Sequence, residues 1–190
     1  MRRVSIEGNL AAGKSTFLAM LDTIAAEHSY EIAPEPVAQW QRVEDRASIA
    51  GEDLPLERDE ESKEDDTNIL QLFYRDPKRW AHTFQLYAFS SRLRHQRQSP
   101  RLADTKFLLM ERSMESDKRI FARNCFLTGL MNRVEYAIYN DLHSYWIDNA
   151  PQLDAVIYLQ TPPEVCYERL YRRHRGEEMT ITLDYMREIH

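Results

Sequence analysis

The chain is poor in the residues that punctuate loops and staple small folds: five glycines and two cysteines in 190 residues. Cys125 and Cys166 lie far apart with no metal-ligand spacing, which excludes a disulfide framework or a zinc module and leaves a reduced cytoplasmic or nuclear chain as the plain reading. No apolar run reaches the length of a membrane span. The N-terminus enters an apolar strand pattern at once, so no signal or transit peptide is expected and a mitochondrial address is disfavoured. Positive charge is not in excess. The formal net charge of -6 argues against a protein that grips a nucleic-acid backbone.

That acidity is concentrated. An insertion expected at about 44–67 culminates in "GEDLPLERDEESKEDDTN" (51–68), with nine acidic and two basic side chains. This stretch carries -7 and the remainder +1, so the folded part is close to neutral. It lacks apolar periodicity and reads as a solvated, mobile insertion within a single domain spanning 1–190.

The rest alternates strands and helices. Strands are expected at 3–7, 30–36, 106–110 and 155–160. Helices are expected from Gly13 to about His28 (apolar Phe17, Met20, Leu21 and Ile24 at helical spacing), from Asn68, at 77–98, 114–126 and 132–149, after Thr161-Pro162, and from Thr182. Asp76 can cap the long helix and Pro77 take its first position. This order implies an α/β fold, a parallel sheet with helices on both faces.

Two of the five glycines sit in "GNLAAGKS", Gly8 to Ser15, between the first strand and the first helix. The match to G-x-x-x-x-G-K-[ST] is complete and its context is the confirming one. Glycine permits the turns, successive N–H groups form an anion nest, and the helix start adds its positive dipole end. Lys14 supplies a cation and Ser15 a hydroxyl for Mg²⁺.

Other positions carry chemistry by placement. Glu35, between two prolines at a strand end, is placed to accept a proton from an attacking hydroxyl, or is a turn carboxylate. Glu111 ends a strand where an acid commonly helps hold Mg²⁺, and Arg112 beside it can meet charge on a transferred group. On helix 77–98, Phe84, Ala88 and Ser91 recur at helical spacing with Gln85 and Arg92 beside them. That face suits a flat heterocycle, or an ordinary boundary between core and solvent. Arg169, Arg172, Arg173 and Arg175 cluster at a helix end, where the dipole favours cations without any function. "RRHRGEE" also suits a lid.

With "PEPVAQW", "NILQLFYRDPKRW", "TFQLYAFSSRL", "ERSMESDKRIFA", "IYLQTPPEVCYERLYRR" and "RGEE" added to "SIEGNLAAGKSTF", the whole chain resembles the deoxynucleoside kinases related to deoxycytidine and deoxyguanosine kinase. The resemblance implies a phosphate-loop kinase fold, a three-layer one, in which Gly8, Asn9, Ala11, Ala12, Gly13, Lys14, Ser15 and Thr16, with Arg169 and the lid arginines Arg173 and Arg175, hold ATP, UTP remaining open as donor. Ser15 and Glu111 would hold Mg²⁺. Glu35 would act as base, paired with Arg112. Gln85 would read the nucleobase, with Phe84, Phe121, Trp40, Val37, Leu70 and Phe73 around it. Tyr74 and Glu178 would hold the sugar 3′-hydroxyl.

Ala88, Arg92 and Asp117 match the deoxycytidine-kinase-like branch, so deoxycytidine is the expected acceptor, with deoxyadenosine or deoxyguanosine as further substrates. A homodimer is implied, packed through helices in 77–98 and 114–149. Ile120, Phe121, Val134, Ile138 and Leu142 suit core or interface equally.

The family usually continues past the position of His190 with another strand and helix. The expectations here are therefore that this C-terminal strand is absent, that a sheet edge and apolar surface are left uncovered, and that a catalytically weak dimerising fragment is the alternative reading. "GEEMTI" lacks a second lid glycine, which would stiffen closure. A nucleoside-monophosphate kinase is a third reading, disfavoured because Tyr74 and Glu178 suit a hydroxyl.

Overall fold

The computed structural model describes residues 1–43, 67–98, 105–148, 150 and 152–190. The acidic insertion therefore lies outside the described residues except for Thr67.

The alternating pattern folds as a four-stranded sheet in the order β2-β3-β1-β4, every pairing parallel. β1 (Arg2–Glu7), β2 (Tyr30–Ala33), β3 (Phe107–Glu111) and β4 (Ala155–Tyr158) are flanked by helices. Central β1 is buried from Arg3 to Glu7, as a strand covered on both faces requires. The register pairs Ile6 with both Glu111 and Ile157, and Ala33 with Met110. All four strands thus end at one edge. The segments that follow them, starting at Gly8, Pro34, Arg112 and Leu159, converge there.

The helices are α1 (Lys14–Asp22), α2 (Ala25–His28), α3 (Val37–Gln41), α4 (Ile69–Arg75) and α5 (Pro77–Gln98), then α6 (Met114–Ser116), a π-helix (Asp117–Ala122), α7 (Arg123–Leu127), α8 (Arg133–Asp148), α9 (Pro163–Arg173) and α10 (Leu183–Glu188). α5 has the expected bounds, with Asp76 Oδ1 accepting the Arg79 N–H at 3.2 Å. The main core is helical. Trp40, Phe73, Phe84, Phe89, Ala122 and Tyr139 pack together from α3, α4, α5, the π-helix and α8.

Several expectations are corrected. The helix drawn from Gly13 to His28 breaks after Asp22. The Thr23 hydroxyl donates to the Met20 carbonyl at 2.7 Å and the Ile24 N–H to that of Leu21 at 3.0 Å, three-residue bonds that close the last turn. Leu18 is its buried apolar anchor, and Met20 and Ile24 face outward. β2 stops at Ala33 because Pro34 and Pro36 have no N–H to continue a ladder. The helix expected at 114–126 is a single rod with a π-helical middle.

β4 pairs with β1 alone among the described residues, and Val156, Ile157 and Tyr158 are exposed.

Candidate active site

The phosphate loop is held in place by its neighbours. Gly8 has φ 147°, and a Cβ there would meet the Leu159 carbonyl oxygen at 2.9 Å. Gly13, at φ 107°, precedes the first residue of α1. Asn9 Nδ2 donates to the Met186 carbonyl at 2.7 Å, and the Ala12 carbonyl accepts from the Thr161 hydroxyl at 3.0 Å and Arg169 Nη1 at 3.3 Å. Lys14 is buried, with Nζ bonded to the carbonyls of Gly8 (3.2 Å) and Asn9 (2.8 Å). Burial, reinforced by the nearby Arg112 cation, lowers its ammonium to about 7.

A cleft of about 800 Å³ opens beside the loop. Ala11, Gly13, Lys14, Ser15 and Thr16 form one wall; Val37, Glu35, Glu111, Arg112, Arg169, Arg173 and Arg175 form the others. Gly8, Asn9 and Ala12, expected to hold ATP, do not line the cleft; their carbonyls accept from Lys14, Thr161 and Arg169 instead. The Ser15 hydroxyl donates to Glu111 Oε1 at 2.7 Å, bringing two hard oxygen donors together at the cleft. Among the described residues no group of three His, Cys, Asp or Glu side chains gathers to hold a metal. The Ser15–Glu111 pair fits Mg²⁺, which keeps its waters and takes phosphate oxygens alongside one or two protein ligands.

Glu35 sits where the cleft meets a second, mainly apolar pocket. Its partner is not only the expected Arg112, at 3.5 Å, but more closely Arg92, whose Nη2 is 2.9 Å from Oε1. Arg92 is a hub. It also holds Asp117 through Nε (2.9 Å) and Nη2 (3.3 Å), and donates from Nη1 to the Glu111 carbonyl at 2.8 Å. Burial alone would raise the Glu35 carboxyl, but Arg92, Arg112 and Lys14 together hold it below its ordinary value. At Asp117 burial prevails over Arg92, and the carboxyl is raised. Burial tends to discharge Arg92 itself, and its two carboxylates more than offset that.

The second pocket is lined by Glu35, Trp40, Leu70, Phe73, Tyr74, Phe84, Gln85, Ala88, Arg92, Arg112, Asp117, Phe121 and Glu178. Every expected base- or sugar-contacting residue except Val37 is there. Phe84 stacks on Phe73 (centroids 4.8 Å apart) and meets the edge of Trp40 at 5.7 Å. The Trp40 N–H donates to the Ser91 hydroxyl at 2.8 Å, which fixes that wall. Phe121 carries the Arg112 guanidinium over its face at 4.6 Å. The π-helical turn starts at Asp117, and both Asp117 and Phe121 line the pocket. Burial raises the Tyr74 phenol well above its usual range, with Tyr185 and Glu178 adding to the effect.

A short 3₁₀ turn, Gly176–Glu178, follows α9 and closes the boundary between pocket and cleft. Glu178 is buried and ion-paired with both Arg173 and Arg175, the latter at 3.0 Å.

Sequence reasoning missed three things. It left Arg92 out of the partners of Glu35, although the family resemblance had placed Arg92 in the site. It did not assign Tyr185 or Leu10, which line the pocket, because an apolar loop residue and a tyrosine near the C-terminus carry no local signal. It passed over Glu177.

Comparison with known proteins extends the picture. The family model described as deoxynucleoside kinase matches residues 4–190. The chain is similar to deoxycytidine kinase of Homo sapiens, 41% identical over 198 aligned residues that cover 100% of this chain and 73% of that protein. It is 42% identical to deoxycytidine kinase 2 of Gallus gallus, covering 100% of this chain and 71% of the relative. It is 38% identical to mitochondrial deoxyguanosine kinase of Xenopus laevis, again covering 100% and 71%.

Proposed function

The chain belongs to the deoxynucleoside kinase family, a family of phosphotransferases that use a nucleoside triphosphate donor, and from that premise we propose that it transfers the γ-phosphate of ATP to the 5′-hydroxyl of deoxycytidine. Deoxyadenosine and deoxyguanosine are proposed as further acceptors. The observation that carries this reading is the continuous ion network Glu35–Arg92–Asp117, which joins the mouth of the phosphate cleft to the wall of the apolar pocket.

The chemistry follows from that layout. A base stacked among Phe84, Phe121 and Trp40 leaves its polar edge toward Gln85 and Asp117. Gln85 offers an acceptor and donors on one amide, matching the paired acceptor and donor of a cytosine edge. Asp117, held by Arg92, accepts from a ring amino group. A thymine places a methyl and a carbonyl there, setting an acceptor against the carboxylate where cytosine offers a donor, a basis for rejection. The sugar 3′-hydroxyl would sit between Tyr74 and Glu178, and the 5′-hydroxyl would then point at Glu35. Ionised at neutral pH, Glu35 would accept the hydroxyl proton as O5′ attacks the γ-phosphorus in line. The bond to the β-γ bridging oxygen breaks, and the diphosphate leaves with its electrons. Arg112, Lys14 and the lid arginines would face the charge spread over the equatorial oxygens. Ser15 and Glu111 would hold Mg²⁺, which would neutralise part of the phosphate charge during transfer.

A homodimer is part of the proposal. Val134, Ile138 and Leu142 recur every four residues as an exposed apolar stripe on α8, with Tyr145 and Trp146 beside it. Such a stripe suits an interface between two copies of the chain. Two free buried thiols, Cys125 and Cys166, suit a reducing compartment, cytoplasmic or nuclear. Among the described residues no helix is long and apolar enough to cross a membrane.

The test is phosphorylation of a deoxynucleoside panel with MgATP. Deoxycytidine turnover with thymidine rejected supports the reading. Equal use of thymidine removes the base assignment, and phosphorylation of deoxycytidine monophosphate in place of deoxycytidine removes the acceptor class.

A further inference from the structure

Glu177, next to Glu178, lines neither the pocket nor the phosphate cleft. Its Oε1 accepts from Gln41 Nε2 at 3.0 Å and from Asn68 Nδ2 at 3.1 Å. Gln41 is the last residue of α3 and Asn68 immediately precedes α4, so one carboxylate oxygen clasps two elements at once. The same two strands of chain are pinned to each other, with the Val43 N–H donating to the Thr67 carbonyl at 2.9 Å. The anchor side is therefore cross-linked on its own account. On the other side, Glu177 is the middle residue of the 3₁₀ turn whose next residue, Glu178, pairs with Arg173 and Arg175. Glu178 and Arg175 border both the pocket and the phosphate cleft.

We propose that Glu177 is a positioning residue: with Gln41 and Asn68 it forms a latch that holds the 176–178 turn closed over the acceptor, and so sets acceptor affinity and product release. The proposal rests on the nucleoside-kinase reading for its substrate, but the latch itself can be read without one.

Both donors are neutral amides, so the contact needs an acceptor at position 177 rather than a negative charge. The amide–carboxylate bonds also supply part of the pull that keeps the Glu177 carboxyl below its ordinary value despite partial burial. Neither donor has a role in the chemistry. Asn68 has a separate duty, its Oδ1 accepting the Gln71 N–H at 2.9 Å as the cap of α4.

That division gives a clean test. Asn68→Asp keeps the capping oxygen but sets a carboxylate against Glu177. Glu177→Gln added to it restores the clasp, because one amide can accept from Gln41 and donate to Asp at position 68. The readouts are steady-state kinetics with deoxycytidine and MgATP, and backbone hydrogen exchange of residues 174–182 in the free enzyme. The expected result for Asn68→Asp is a roughly three- to tenfold rise in KM for deoxycytidine, the scale of losing one or two hydrogen bonds. Its kcat would be unchanged or raised, because opening releases product. Exchange in 174–182 would be faster. Asn68→Asp/Glu177→Gln would return both readouts toward wild type. Glu177→Ala, with cap and donors intact, would reproduce the Asn68→Asp behaviour should that variant fold poorly.

Wild-type exchange and KM in both Asn68→Asp and Glu177→Ala would overturn the latch, as would a double variant no better than Asn68→Asp. If the wild-type enzyme ignores deoxycytidine, the function reading fails. The exchange experiment still decides the latch.

Discussion

Arg92 Nη2 lies 2.9 Å from Glu35 Oε1, closer than the expected partner Arg112 at 3.5 Å. The same guanidinium grips Asp117, so the proposed general base and the carboxylate proposed to face the nucleobase share one cation. Removing that cation strands the buried Asp117 carboxylate and leaves Glu35, at the cleft, with Arg112 alone. Arg92→Leu is expected to lower stability by about 3–5 kcal/mol, the cost of breaking a buried pair. Arg92→Met/Asp117→Ala removes both charges of the base wall. It should unfold at a higher urea midpoint than Arg92→Leu and should raise kcat/KM for thymidine relative to deoxycytidine.

Glu35→Gln keeps the size and a polar tip but cannot accept the proton. Turnover is expected to fall by about 10²–10⁴-fold, the usual contribution of a general base. Deoxycytidine should still raise the melting temperature of the variant.

The acid limb of the pH profile follows from the same network. Burial raises the Glu35 carboxyl, and Arg92, Arg112 and Lys14 more than cancel that rise, so it ionises below its ordinary 4.5. A depressed carboxyl contributes stability that is present above its unfolded value and lost as pH falls through its folded value. The Glu35 carboxylate should therefore remain available below pH 5. In Arg92→Met/Asp117→Ala the acid limb of kcat/KM should move to higher pH.

Gly8 and Gly129 form a contrasting pair. A Cβ at Gly8 would meet the Leu159 carbonyl oxygen at 2.9 Å, whereas at Gly129 nothing lies within 4 Å although φ is 77°. Gly129→Ala should cost about 1–2 kcal/mol of stability through backbone strain alone and leave the KM for ATP unchanged. Gly8→Ala should displace the phosphate loop and raise that KM severely.

The α8 stripe predicts an oligomer. Ile138→Glu places a charge in the middle of Val134, Ile138 and Leu142. Sedimentation should show the wild type as a dimer and the variant as a monomer.

What was legible in the sequence was local. The phosphate loop is one contiguous segment whose glycines, lysine and serine act within a few residues of each other, so its form was readable from spacing. On α5 spacing put Phe84, Gln85, Ala88 and Arg92 on neighbouring positions of one helix but left open whether they met a ligand or solvent, and the family resemblance chose the ligand; all four are buried. The Glu35–Arg92 bond joins residues 57 apart, and no periodicity says which strand end a helix face will meet. Likewise the break in α1 follows from i−3 bonds at Thr23 and Ile24, and Met20 lies outward because nothing described packs over it. Apolar spacing alone did not distinguish that face from the one anchored by Leu18.

The most direct measurement is the rate of phosphorylation of deoxycytidine, deoxyadenosine, deoxyguanosine and thymidine by this chain with MgATP, with Glu35→Gln alongside. The account predicts deoxycytidine turnover, weaker purine turnover, no thymidine turnover and loss of all of it in Glu35→Gln. Thymidine turnover matching deoxycytidine, or full activity in Glu35→Gln, would contradict it.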